Sequence, residues 1–161
     1  MVCEENVTPV EDSSRRAFGT ARVSELASLV ALDRECFGAL AWGVEAWQDV
    51  VVEPGWTTLV WRNGSQPRAA MVLLLEPPVA CLASLAVHPS FRGRGIGRDL
   101  LREAVQRARQ AKARWLTLEV DADNVAAIRL YRNEGFSTLR RFREDNRSRL
   151  EMYRRLGRRG S

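Results

Sequence analysis

The chain has 161 residues, 45% of them hydrophobic and 28% charged, the composition of one ordinary globular domain with a single sizeable core. A membrane-spanning helix is excluded, because the longest apolar run, Ala69 to Leu75, is closed by Glu76 and Pro77 and falls well short of bilayer length. The net charge of +5 favours acidic partners such as a phosphorylated cofactor, acidic protein or RNA. The opening Met1-Val2-Cys3-Glu4-Glu5-Asn6 lacks the basic and then apolar pattern of a secretory signal, so a cytoplasmic location is expected.

Residues 1–14 carry no hydrophobic period and read as a flexible leader. A single domain is expected over residues 15–157, with residues 158–161 as a basic tail. Ala17 to Val23 reads as a short first strand. Leu26, Ala27, Val30 and Ala31 recur at helical spacing, with Ser24 as N-cap and Glu25 in the first turn. Val44, Trp47, Val50 and Val51 predict a second, shorter helix. Trp42 and Trp47, taken singly, read as core anchors.

Thr57 to Arg62 and Arg68 to Glu76 read as strands joined at the Asn63-Gly64 turn, and Pro77-Pro78 leads into a third strand, Val79 to Val87. Three strands joined by short turns form an antiparallel meander, which argues against a purely parallel, doubly wound sheet. Beyond the glycine-rich segment after Pro89, Ile96, Leu100, Leu101, Ala104, Val105, Ala108 and Ala111 share one helical face. Trp115 to Val120 is the next strand. Because a crossover helix separates it from Val79 to Val87, those two strands are expected to be parallel neighbours. Asp123 or Asn124 caps the following helix and Gly135 ends it. Phe136 to Leu139 and Ser148 to Leu156 close the chain as strands. The expected fold class is α+β, a mixed and mostly antiparallel sheet flanked by helices.

Cys3, Cys36 and Cys81 are widely spaced and form no C-x-x-C pair, so reduced thiols are expected. His88 is the only histidine, so no multi-histidine metal site can form and no metal is expected. It reads as the end of a strand.

The stretch that carries chemistry is Ser90-Phe91-Arg92-Gly93-Arg94-Gly95-Ile96-Gly97-Arg98, between a buried strand and a helix. The first N–H groups of a helix lack intrahelical partners, the helix dipole adds positive potential there, and glycine permits close approach, so the segment suits phosphate. The dinucleotide fingerprint fails because Arg98 stands where it needs glycine, and the Gly-Lys-Ser/Thr of NTPase loops is absent.

What remains, Arg92-x-x-Gly95-x-Gly97, resembles the diphosphate signature of the GNAT superfamily of acetyl-CoA-dependent N-acetyltransferases. The resemblance continues through Leu118-Glu119-Val120-Asp121-Ala122-Asp123-Asn124-Val125-Ala126-Ala127-Ile128-Arg129-Leu130-Tyr131 to Glu134-Gly135-Phe136, and is greatest to the ribosomal-protein N-terminal alanine acetyltransferase branch. It implies acetyl-CoA as cosubstrate, held by backbone groups of Arg92, Gly93, Arg94, Gly95, Ile96, Gly97 and Arg98 and by Asn124 and Ala127. Leu85, Ala86 and Val87 lie on the strand whose backbone faces the thioester. Glu119 matches the proton acceptor of that branch and Tyr131 its proton donor. From pattern alone, Glu119 reads as a solvated strand residue and Tyr131 as a buried aromatic.

The acceptor implied is an amine, foremost a protein N-terminus, with substrate contacts sought from Phe37 to Trp47. Two features depart from the branch: Ala41-Trp42 replaces Pro-Trp, and Arg140 to Asn146 is short and lacks a tyrosine pair. A small-molecule amine acceptor stays open beside the peptide. A nucleic-acid-binding module, suggested by Arg92-Gly93-Arg94-Gly95 and the basic tail, is the remote alternative, because interleaved exposed aromatics are lacking around that box. Nothing in the sequence sets an oligomeric state.

Overall fold

The structure, a computed structural model, describes residues 16–157. The expected leader and basic tail lie outside the described residues. Strand β1, Gly19–Thr20, precedes a tight helical turn, Val23–Glu25, and the helices α1, Leu26–Phe37, and α2, Val44–Val52. The meander follows as β2, Trp56–Asn63, β3, Gln66–Glu76, and β4, Val79–Val87. Helix α3, Ile96–Gln110, leads to β5, Trp115–Asp121, then α4, Val125–Asn133, β6, Ser137–Glu144, and β7, Arg147–Arg155.

These strands form one seven-stranded sheet in the order β1-β2-β3-β4-β5-β7-β6. Only β4 and β5 pair in parallel, as the α3 crossover requires. Each face has its own core. Leu100, Leu101, Ile128 and Tyr131 of α3 and α4 pack on Leu59, Met71, Leu73 and Leu118. On the opposite face Leu29, Leu32, Trp47 and Val50 of α1 and α2 pack on Val60, Ala70, Val72 and Ala86. The apolar stripe of α3 is buried from Ile96 to Ala108, and each leucine removed from water there contributes about 1.5–3 kcal/mol. Trp47 is fully buried, whereas Trp42 is half-buried against it, with ring centroids 5.5 Å apart.

Three boundaries differ from expectation. Ser24 does not cap α1: it lies inside the Val23–Glu25 turn, and the Glu25 carboxylate takes the Arg22 N–H at 2.9 Å and Arg62 Nε at 2.6 Å. That long-range ion pair had no trace in local spacing. The first strand is confined to Gly19–Thr20. The closing strands run further toward each other than expected, β6 reaching Glu144 and β7 starting at Arg147, with a two-residue Asp145-Asn146 turn at positive φ. β6 is an edge strand with almost every residue exposed, so its arginines show none of the alternation that marks a half-buried strand.

The feature that positions the site is a bulge in β4. Val72 pairs with Ser84 but Leu73 pairs with Leu82, leaving Ala83 as the extra residue. Before it, Ala80 and Leu82 belong to the α3/α4 core; after it, Ala86 belongs to the α1/α2 core, and Leu85 and Val87 turn toward α3 and α4. The parallel pairing with β5 ends at the same place, at Leu82 opposite Leu118. Beyond that pair the two strands separate.

Candidate active site

The fork between β4 and β5 opens into a cleft of about 520 Å³, lined by the Cys81–Leu85 segment, Leu118–Asp121, Asn124, Ala127, Tyr131 and, at the mouth, Phe37, Leu40 and Trp42. His88 donates its N–H to the Arg68 carbonyl on β3. Since strand residues alternate in the direction of their backbone groups, those of Leu85 and Val87 face the fork and those of Ala86 face β3. The Val87 carbonyl is taken by Arg92 Nε at 3.0 Å and Cys36 Sγ at 3.3 Å. Burial pushes the Cys36 thiol up from its ordinary range, so it is held as a neutral donor.

From Val87 the chain turns through Pro89–Phe91, where His88 Nδ1 accepts the Ser90 N–H at 3.1 Å. Gly93 and Gly95 take φ of 78° and 77°, the left-handed region glycine adopts without steric cost. Gly95 caps α3, and the first backbone bond of the helix runs from Asp99 N to the Gly95 carbonyl. Among the described residues, the amides of Gly93 to Arg98 have no backbone acceptor. A Cβ on Gly97 would lie 3.6 Å from both Leu130 and Val87, an ordinary van der Waals contact that displaces neither α4 nor β4. The loop therefore presents a row of free N–H groups at a helix N-terminus, which fits a diphosphate.

Glu119 follows the last residue of β5 that pairs with β4, and its side chain is 45% exposed. Among the described residues, its one contact with a cation is Arg149 Nη1, at 3.4 Å, and that same nitrogen donates to Glu144 at 2.8 Å. Neighbouring Asp121 is held more firmly, by Arg147 at 2.8 and 3.0 Å. Glu119 is thus steered by Arg149 yet keeps acceptor capacity toward the cleft. Tyr131, only 8% exposed, packs on Phe136 with centroids 6.0 Å apart. Burial pushes its phenol up to about 12, so it carries its proton at any physiological pH. Asn124 Oδ1 accepts the Ala127 N–H at 3.2 Å, capping α4 as expected.

Sequence reasoning missed Asp33, Arg147 and Arg149. Asp33 is buried beneath the mouth of the cleft and accepts the Trp42 N–H at 2.6 Å. The two arginines arrive on β7, opposite β5. A carboxylate within an apolar helical stripe was the available signal for Asp33; the arginines needed the strand register. Among the described residues no group of three or more His, Cys, Asp or Glu could hold a metal ion, and Cys36 and Cys81 are free thiols. No described helix is long and apolar enough to cross a membrane.

A sequence profile of the acetyltransferase (GNAT) family matches residues 23–136, which takes in the fork, the glycine loop and both candidate side chains. The chain belongs to the GNAT family. Among curated GNAT relatives, an N-alpha-acetyltransferase RimI of Mycobacterium tuberculosis is 49% identical over 53 residues, 33% of this chain and 32% of the relative. A mycothiol acetyltransferase of Nocardiopsis dassonvillei is 40% identical over 60 residues, 37% of this chain and 18% of that protein. These matches span less than half the length of those relatives. The ribosomal-protein-S18-alanine N-acetyltransferase of Escherichia coli has the same fold, with a TM-score of 0.81 over 89% of this GNAT chain and 96% of that one, at 20% identity.

Proposed function

We propose that the chain transfers an acetyl group from acetyl-CoA to an amine, with a protein N-terminal α-amine as the foremost acceptor. The observation that carries this reading is the joint lining of one cleft by an accessible carboxylate, Glu119, and a buried, protonated phenol, Tyr131, beside a strand whose free backbone leads to the glycine loop. The amides of Gly93 to Arg98 would hold the diphosphate. Asn124 and Ala127 would border the pantetheine arm, and Leu85 and Val87 the thioester, whereas the backbone of Ala86, expected beside them, faces β3.

An ammonium ion has no lone pair, so the acceptor must lose a proton before it attacks. At pH 7 that costs about 1–1.4 kcal/mol for an α-amine and about 4.6 kcal/mol for a lysine side chain. One half-exposed carboxylate matches the smaller task, and Glu119 is assigned as the base, directly or through a water. Backbone N–H groups of Leu85 and Val87 would donate to the carbonyl oxygen as charge develops on it. Tyr131 would return a proton to the departing CoA thiolate. The names of the RimI and alanine acetyltransferase relatives support a protein N-terminus as acceptor.

A small-molecule amine is the second reading. The tight Asp145-Asn146 turn builds no wall of aromatic residues beside the cleft, and relatives named for mycothiol and streptothricin match 37% and 35% of this chain. Mass spectrometry of a panel of peptides and small amines incubated with acetyl-CoA tests both. Acetylation confined to peptide α-amines supports the first reading, acetylation confined to small amines replaces it, and no acetyl transfer to any acceptor rejects the enzyme assignment.

A further inference from the structure

Arg16, in the segment leading into β1, reaches across the molecule to the glycine loop. Its Nη2 donates to the Arg94 carbonyl at 3.0 Å, and its Nη1 donates to the Asp99 carboxylate. The side chains of the Arg16–Asp99 pair are only 7% and 9% exposed. Asp99 stands in the first turn of α3, the end that a diphosphate would occupy. A carboxylate there suits the helix dipole, but it competes with an incoming anion for the same positive potential. Arg98 lies beside it at 3.4 Å and is half-exposed, so the buried countercharge is Arg16.

We infer that Arg16 is a positioning residue for the diphosphate loop: its guanidinium cancels the Asp99 charge at the mouth of α3 and ties down the Arg94 carbonyl between the two left-handed glycines. This rests on the acetyl-CoA reading above. The planar fork of arginine can serve a carboxylate and a carbonyl at once, which an ammonium cannot match. The interaction also couples the approach to β1, at one edge of the sheet, to the cofactor loop after β4. Nothing in the sequence spacing joins residues so far apart.

The test is calorimetric binding of CoA, paired with kcat/KM for two donors, acetyl-CoA and acetyl-pantetheine, the second of which lacks the diphosphate. Arg16→Met should weaken CoA binding by about ten- to a hundredfold, the size of a lost hydrogen bond to a charged group, and lower kcat/KM for acetyl-CoA by a similar factor while leaving acetyl-pantetheine unchanged. Arg16→Lys should recover part of the loss. Should Arg16→Met fail to fold, Arg16→Met/Asp99→Asn removes both charges and keeps the question open to measurement. It should bind CoA more weakly than the unaltered chain, because the Arg94 carbonyl is left untied, and lose less with acetyl-pantetheine than with acetyl-CoA. Equal losses with both donors would make Arg16 a general structural residue and overturn the inference, as would unchanged CoA affinity. Absence of CoA binding by the unaltered chain would instead remove the acetyl-CoA reading and the inference with it.

Discussion

Trp42 donates its backbone N–H to the buried carboxylate of Asp33 at 2.6 Å, fastening the α1–α2 connection over the mouth of the cleft. Burial pushes the Asp33 carboxyl above its ordinary range, against the opposing effect of the Trp42 N–H. Its folded pKa therefore exceeds its unfolded one. The fold holds the proton more tightly than the unfolded chain, and the associated stability is lost as pH rises through the raised value. Asp33→Asn keeps an acceptor for Trp42 and cannot ionise. Thermal melts of parent and variant should lie close together at about pH 3, below the ordinary aspartate value, and the variant should gain on the parent as pH rises. A gap that narrows with rising pH would contradict this.

Glu119→Gln should lower turnover by about 10²–10⁴, the usual contribution of a positioned base, and leave CoA affinity unchanged, since the side chain lies on β5 and not in the glycine loop. Steady-state kinetics with an α-amine peptide, together with calorimetric titration of CoA, separate the two effects. Full turnover in the variant would return Glu119 to the role of a solvated strand residue.

Tyr131→Phe preserves the ring that packs on Phe136, so the fold should tolerate it while turnover falls. The phenol keeps its proton until about pH 12. Stability from holding that proton is complete below the unfolded value near 10 and is lost between about 10 and about 12. The parent should therefore lose melting temperature relative to Tyr131→Phe only above about pH 10, and its turnover should show no alkaline decline from Tyr131 below that pH. Unchanged turnover in the variant would return Tyr131 to the core.

Gly95→Val places a β-branched residue at φ 77°, with its Cβ 2.8 Å from Arg98 Nη2. The backbone strain costs about 1–3 kcal/mol, and relieving it would turn the amides of the loop away from a bound diphosphate. CoA affinity should fall more than tenfold. Gly93→Ala has a similar φ of 78° but open space around its Cβ, so it should lose less. Calorimetry on both variants checks the order.

The segments with strong periodicity were readable from the residues alone. The meander, the buried stripe of α3 and the parallel neighbour of β4 all follow from apolar spacing and crossover length. The glycine loop was readable because few chain segments need that density of glycine and arginine between a strand and a helix. What stayed hidden depends on register. Arg149 meets Glu119, and Arg147 meets Asp121, only because β7 inserts between β5 and β6. Arg16 meets Asp99 only because the chain before β1 passes the start of α3. The arginine-rich far half of the edge strand β6, beyond Leu139, escaped because neither of its faces is buried, so nothing in its sequence records a direction.

Ala83 gives the reaction centre its address. Were Ala83 drawn into the ladder as an ordinary paired residue, Leu85 and Val87 would point into the α1/α2 layer, and their amides would swing from the gap onto β3. Deleting that one residue would restore an unbroken ladder with Leu85 and Val87 on the same face as before, and would remove the local bend of the strand rather than the facing of either residue. What keeps the amides of Leu85 and Val87 toward the fork is therefore a count of residues and not the chemistry of any one side chain.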